Sequence, residues 1–248
     1  MTSTTKKVLV GAAIVLMLAL AGGVWWFSHS LDSLVASAIR TFGPEITGVS
    51  IHLDSVKIEA MDGRAALRGL VVGNPAGFKT DHALSLGEIS MTLDLDSLTK
   101  DVIVIKRISI VKPDVSYELG AGGSNLDAIQ RHVDRYVAQH RGGHTQAAER
   151  NGGKKLVIED LYITSATATV SVAVVQGSHT SVPLPDVHLR DIGKRSGGAT
   201  AGEAVEQVFG ALTHSVTRAM ASRGLGGTID TLKKGAGSAA DTLKGLLR

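Results

Sequence analysis

Residues 105–117 read IKRISIVKPDVSY, and residues 158–170 read IEDLYITSATATV. At an offset of 53 positions, Ile105, Ile108, Ile110, Val115 and Tyr117 match Ile158, Leu161, Ile163, Ala168 and Val170. Apolar and polar residues alternate through much of each stretch, as in a strand with one apolar and one wet face. The offset predicts a strand–bend–strand unit used twice, rather than two unrelated domains.

Within these stretches the alternation slips by one residue. The slip, apolar-x-x-apolar-x-apolar, recurs at Leu53/Val56/Ile58, Leu67/Leu70/Val72, Leu86/Ile89/Met91, Ile105/Ile108/Ile110, Ile158/Leu161/Ile163 and Leu184/Val187/Leu189. A strand with one extra residue keeps its apolar side on one face across such a slip, which is what a β-bulge does. Repeated in successive strands, bulges predict a curved sheet. Alternation also marks strands from Val49 and over Ile89, Met91, Leu93 and Leu95. Alternation appears again over Val115, Tyr117 and Leu119 and over Ala168, Val170, Val172 and Val174. One-sided strands of this kind suit a mostly antiparallel sheet.

Four stretches read as amphipathic helices. Ser30 to Phe42 presents Leu31, Leu34, Val35, Ala38, Ile39 and Phe42 on one face, with Gly43-Pro44 as its expected stop. A helical insertion at about 124–141 places Leu126, Ile129, Val133 and Val137 together, with Ser124 as cap and Asp127 three residues on. A third starts at Thr200, whose spacing to Glu203 is that of a capping box, and its face is Val205, Val208, Phe209, Leu212, Val216 and Met220. The last covers 228–248, with Lys233, Lys234 and Lys244 mostly off its apolar side. The fold class expected is therefore α+β and β-rich: a curved sheet of bulged strands flanked by amphipathic helices.

Val8 to Phe27 carries no charge over 20 residues. At about 1.5 Å per helical residue this spans roughly 30 Å, the thickness of a hydrocarbon core. Lys6 and Lys7 flank one side, and Trp25, Trp26 and Phe27 close the other. That arrangement predicts a transmembrane anchor with its N-terminus in the cytoplasm and aromatic residues at the far interface. A cleaved signal peptide is the alternative, because Ala19-Leu20-Ala21 fits the small-residue cleavage pattern. Both of these readings export residues 28–248; a buried helix of a soluble domain is the third reading of the stretch. The expected division is a cytoplasmic tip at 1–7, an anchor at 8–27, a curved-sheet domain at 28–193 and a helical C-terminal region at 194–248.

Composition narrows the function. The chain has 248 residues and no cysteine, which excludes thiolate metal sites, disulfides and cysteine nucleophiles. Mean hydropathy is +0.16, raised in part by the apolar segment, which also holds three of the nine aromatic residues. The net charge of +3 sits at the ends. Residues 8–189 hold 15 Lys/Arg against 18 Asp/Glu, and residues 190–248 hold nine against five. A mildly acidic body argues against nucleic acid as a partner, and basic ends suit a membrane surface.

Several segments together resemble AsmA-like proteins of Gram-negative bacteria. They are the strand pair from Leu67 into Gly73-Asn74-Pro75-Ala76-Gly77-Phe78, the run Ala83 to Leu98, Ile103 to Glu118 with Lys112-Pro113-Asp114, and Gly123-Ser124-Asn125-Leu126, all after an N-terminal anchor. The segment from Val182-Pro183-Leu184-Pro185-Asp186-Val187 to Gly193 is similar to that of small members of the group. The resemblance covers roughly residues 1–193 and implies an inner-membrane anchor, a periplasmic body and a role in phospholipid handling or envelope homeostasis. Larger relatives resemble chorein-type bridge-like lipid transfer proteins with an apolar groove. On that implication, acyl chains would lie along Ile89, Met91, Leu93, Ile108, Ile110, Val115 and Tyr117. The tail at 228–248, read on its own residues, either meets lipid headgroups through Lys233, Lys234 and Lys244 or plugs the groove. Six to nine strands at roughly 4.8 Å give only about 30–45 Å of groove, too short to bridge the periplasm alone. An ordinary closed aliphatic core, in a structural or interaction module contacting envelope proteins, fits the same residues.

No catalytic constellation is expected, and no cofactor or metal. Ser97-Leu98-Thr99-Lys100 matches S-x-x-K by spelling but reads as a polar turn. His140 and His144 lack a third ligand and have Arg141-Gly142-Gly143 between them. Asp94 and Asp96 fall on the solvated side of a strand, and Asn74 to Phe78 reads as a turn that buries Phe78.

Overall fold

A computed structural model describes residues 31–120, 123–140, 154–172 and 180–222. The fold is α+β, with one open, mixed sheet of eleven strands and three helices among the described residues. The strands are β1 (Ile51–His52), β2 (Ser55–Glu59), β3 (Arg64–Val72), β4 (Leu84–Leu93), β5 (Val102–Val111), β6 (Asp114–Gly120), β7 (Gly123–Ser124), β8 (Lys155–Thr164), β9 (Thr167–Val172), β10 (Thr180–Pro183) and β11 (Val187–Ile192). The helices are α1 (residues 31–47), α2 (Asn125–His140) and α3 (Ala201–Ser222).

Pairing reduces this sheet to six lanes in chain order. β1 and β2 share one register on β3, and β3 pairs with β4. β4 pairs with both β5 and β6. β8 and β9 pair with β5 and β6, and β11 and β10 close the far edge on β8 and β9. Neighbouring lanes are antiparallel except β5–β6 against β8–β9, which are parallel. A parallel neighbour needs a crossover, and α2 occupies that connection. The 53-residue offset is thus a register. Ile105 lies beside Ile158, Ile108 beside Leu161, Val115 beside Ala168 and Tyr117 beside Val170.

The slips in alternation align as well. Continuing the registers across the sheet sets Asp54 against Gly69, Gly69 against Gly87, Gly87 against Lys112, Lys112 against Ser165 and Ser165 against Pro185. This line of pleat breaks, or corners, crosses all six lanes. Gly69, Lys112 and Ser165 take left-handed backbone, at φ +63°, +54° and +55°. Lys112 and Ser165 occupy equivalent places in the two repeats. Around each corner two successive residues point outward, and the buried face resumes beyond them. Ile110, Pro113 and Val115 are buried around exposed Val111 and Lys112, and Ile163, Ala166 and Ala168 are buried around Thr164 and Ser165. A second line joins Lys106-Arg107, Glu159-Asp160 and Arg190-Asp191 on β5, β8 and β11, where the β4–β5 register shifts between Thr92 and Leu93. Asp191 there has φ +55°.

One face of the sheet is polar and the other apolar. The apolar face packs with all three helices in a single core. α2 contacts β6 and β7, α3 contacts β8, β10 and β11, and α2 and α3 pack on each other. The expected faces are the buried ones: Leu126, Ile129, Val133 and Val137 on α2, and Phe209, Leu212, Val216 and Met220 on α3. Both N-terminal boxes form. Ser124 Oγ accepts from the Asp127 N–H at 3.0 Å while Asp127 Oδ2 accepts from the Ser124 N–H at 3.2 Å. Thr200 and Glu203 make the same exchange at 3.2 and 2.8 Å.

Two boundaries differ from the sequence expectation. Gly43-Pro44 does not end α1, which runs to residue 47. Proline tolerates helical φ, and the Gly43 carbonyl accepts from Thr47 Oγ1 at 2.8 Å. The stop is Gly48, at φ +73°, whose N–H bonds to the Pro44 carbonyl at 2.8 Å. Gly43 serves packing instead: a Cβ there would stand 2.9 Å from Ile51 Cγ1. Leu95 continues the alternation of β4 but lies in a 3-10 turn capped by Asp94, and it is exposed.

Gly69 and Gly87 make a contrast. A methyl on Gly69 would collide with the Asp54 side chain and strain a left-handed residue, whereas a methyl on Gly87 would meet open space. Gly69→Ala should lower stability by about 1–3 kcal/mol. Gly87→Ala should change it by less than about 0.5 kcal/mol. Urea unfolding of both variants checks the corner line, and equal effects would contradict it.

Candidate functional site

Of the seven residues expected to face lipid, Ile89, Ile108, Ile110, Val115 and Tyr117 are buried in the core. Met91 and Leu93 are half-buried and pack against it. Ile89 lies beside Ile110, Met91 beside Ile108 and Leu93 beside Ile105, so all but Val115 and Tyr117 form one cross-strand cluster on β4 and β5. Val115 and Tyr117 lie beyond the corner, on strand β6, which α2 contacts. Lys6, Lys7, Trp25, Trp26 and Phe27 at the expected anchor, and Lys233, Lys234 and Lys244 in the tail, lie outside the described residues.

The loop 73–80, strand β6 and the start of α2 meet in one buried polar cluster. Strand β6 is buried on both faces from Val115 to Leu119, because the loop 73–80 folds against its second side. Glu118 is 1% exposed. Its carboxylate accepts the Lys79 N–H at 2.8 Å, the Thr80 N–H at 2.8 Å and the Thr80 hydroxyl at 3.0 Å. Asn125 is fully buried and accepts the Glu118 N–H at 2.9 Å. Its amide nitrogen donates to Asn74 Oδ1 at 2.8 Å and to the Ser116 carbonyl at 2.7 Å. Asn74 in turn donates to the Thr80 carbonyl at 2.6 Å. The Pro75 carbonyl accepts the Phe78 N–H at 3.3 Å, closing the expected turn, and the half-buried Phe78 ring lies over Gly120. A buried carboxylate tolerates this setting only with such donors. They are all supplied within the cluster, and its bonds tie the loop to β6. Alternation places Glu118 on the wet face of β6. Only the loop crossing that face brings it inside, and no local spacing signals that.

A second cluster lies on the polar face beside the outer corner line. His188 Nε2 and Asp160 Oδ1 are 2.6 Å apart, the imidazole stacks on the Tyr162 ring at 4.1 Å, and Arg107 lies over the same ring at 5.4 Å. Arg190 Nε stands 3.3 Å from His188 Nε2 and 3.8 Å from Asp160 Oδ1. The hydrogen bond from His188 holds the Asp160 carboxyl below its ordinary range, against the opposing effect of burial and with help from the charges of His188, Arg190 and Arg107.

The remaining motifs are structural. Ser97 Oγ donates to the Asp94 carbonyl at 2.6 Å and accepts the Val104 N–H at 2.8 Å, which fixes the β4–β5 turn. Asp94 caps that turn by accepting the Asp96 N–H. His140 stacks on Tyr136 and bonds its carbonyl at 2.6 Å, and His144 lies outside the described residues. No group of three His, Asp or Glu able to hold a metal occurs among the described residues.

Asn125→Ala removes three bonds and leaves buried partners unsatisfied, so it should lower stability by about 2–3 kcal/mol in urea unfolding. Stability contributed by a lowered carboxyl is present above the ordinary carboxylate range and lost as pH falls through the folded pKa. His188→Ala should therefore raise the Asp160 titration midpoint toward its ordinary value and weaken that acid dependence. Carboxyl-carbon NMR reads the midpoint, and an unmoved one would contradict the assignment.

No family model matches this chain, and no curated protein matches it.

Proposed function

We propose that the chain is a membrane-anchored, non-enzymatic module of the cell envelope, with a closed core under its sheet and a structural or adaptor role toward envelope proteins. The observation that carries this reading is the burial of Ile89, Ile108, Ile110, Val115 and Tyr117 within the protein's own core. A face already filled by α1, α2 and α3 leaves little apolar area for a ligand. The uncharged stretch 8–27 with its lysine and tryptophan flanks supports an anchor with the body on the far side of the membrane. The resemblance to AsmA-like proteins makes that the inner membrane and the periplasm. Two successive outward residues favour a bend in a strand, and a corner line shared by six lanes supports a curved sheet.

A second reading, binding of lipid acyl chains, is favoured by one specific feature. Ile58, Met91, Leu93, Val187 and Leu189 are only half-buried on the apolar face. They lie on the side of the corner line away from α2, a strip that could hold acyl carbon.

The two readings differ in what an inward charge does. In the full chain, Ile108→Asp should cost several kcal/mol and abolish cooperative thermal unfolding if the core is closed. Phospholipid extracted from the detergent-purified protein should then fall below one molecule per chain. Stoichiometric lipid, lost in Met91→Asp without a change in melting, would overturn the closed-core reading in favour of lipid binding.

A further inference from the structure

Four large apolar side chains are exposed among the described residues: Leu34, Met61, Leu95 and Val111. The first three lie at one end of the sheet. Asp32 Oδ1 accepts the Ile58 N–H at 2.7 Å, and Arg40 Nη2 donates to the Leu53 carbonyl at 2.6 Å. α1 therefore runs antiparallel to the β1–β2 lane, and its start, with Leu34 66% exposed, sits at the β2–β3 hairpin. Met61, 83% exposed, is in that hairpin turn. Leu95 reaches over Gly63 of the same turn, within 3.3 Å of where a Cβ would stand. Exposed apolar side chains scattered singly are ordinary, but three at one end mark a contact surface.

The sequence says which surface. Only Ser28, His29 and Ser30 separate Phe27, the last residue of the apolar segment, from residue 31 of α1. That is at most about 14 Å of extended chain. Cations share this end. Lys154 Nζ donates to the Leu98 carbonyl at 2.6 Å, and the Lys155 N–H to that of Asp101 at 2.9 Å, which puts both beside Lys100. Arg195 follows in the turn after β11. None of the four makes an ion pair among the described residues. Asp96 and Asp101 stand there too, so the charge excess is small and apolar insertion carries the contact. Asp62 is tied to Arg64 at 2.8 Å.

We propose that this end docks on the bilayer surface, with Leu34, Met61 and Leu95 in the interfacial region and Lys100, Lys154, Lys155 and Arg195 toward anionic headgroups. This rests on the anchored reading above. Amphipathic contacts of this kind combine buried apolar area with attraction to anionic lipid.

The cysteine-free chain makes the test direct. Single variants Met61→Cys, Leu95→Cys and Val111→Cys of the full chain are labelled with a fluorophore and reconstituted into vesicles of phosphatidylcholine and phosphatidylglycerol containing doxyl-labelled lipid. Docking predicts loss of fluorescence at positions 61 and 95 but not at 111, weakened when phosphatidylglycerol is omitted. Equal quenching at all three positions would overturn it. Protection of positions 61 and 95 from a water-soluble quencher without quenching by doxyl lipid would overturn it in favour of a second copy of the chain. Flotation under high salt separates the two ideas. Chains that float with unquenched labels refute docking alone, and chains that fail to float refute the anchor as well.

Discussion

The constraint on which the structure depends is that every lane of the sheet must break its pleat at the same cross-strand position. A strand can show two successive residues to water only by breaking its pleat, and a lone break would throw its neighbours out of register. Here the breaks coincide. Asp54, Gly69, Gly87, Lys112, Ser165 and Pro185 stand in one line, so the apolar residues on both sides stay on the helix-covered face. Of the line's two glycines, Gly69 is pressed by Asp54, whereas Gly87 faces open space. The line uses strained Lys112 and Ser165 in the two repeats, each held by a local bond. The Lys112 N–H donates to the Thr164 carbonyl at 2.9 Å, and the Ser165 N–H to Asp186 Oδ1 at 3.0 Å.

Edges and loops are secured by polar groups brought from elsewhere in the chain. The free edge of the first lane is met by Asp32 and Arg40 of α1, which occupy a backbone donor and a backbone acceptor that could otherwise recruit another strand. The 73–80 loop is held over β6 by Glu118 and Asn125, residues that come from a strand and a helix start. Ion pairs such as Arg68–Glu88 at 2.8 Å lie on the exposed face and contribute little by comparison.

Much of this was legible in the residues, for identifiable reasons. The offset of 53 between the two repeats is visible because parallel neighbours with the same bend need the same apolar pattern. The bulge-like slips are visible because apolar side chains mark the buried face. The pattern missed the corners at Lys112 and Ser165, where the buried residues after the bend are Pro113 and Ala166 rather than large aliphatics. Helix caps were readable because Ser124/Asp127 and Thr200/Glu203 act over three residues. The end of α1 was not, since a Gly-Pro pair is a stop only when the next turn cannot recover its bonds. Glu118 was illegible because its partners lie 38 and 39 residues away. Whether helices or a ligand cover an apolar face is a tertiary fact with no local signature.

The central claim, that the aliphatic face is filled by the chain itself, is tested most directly by thiol labelling of Ile108→Cys in the otherwise cysteine-free full chain, followed as denaturant is raised. A closed core predicts that labelling occurs only through global unfolding, with the denaturant dependence of the unfolding transition. Prompt labelling by a small apolar maleimide in native buffer, independent of denaturant, would contradict it.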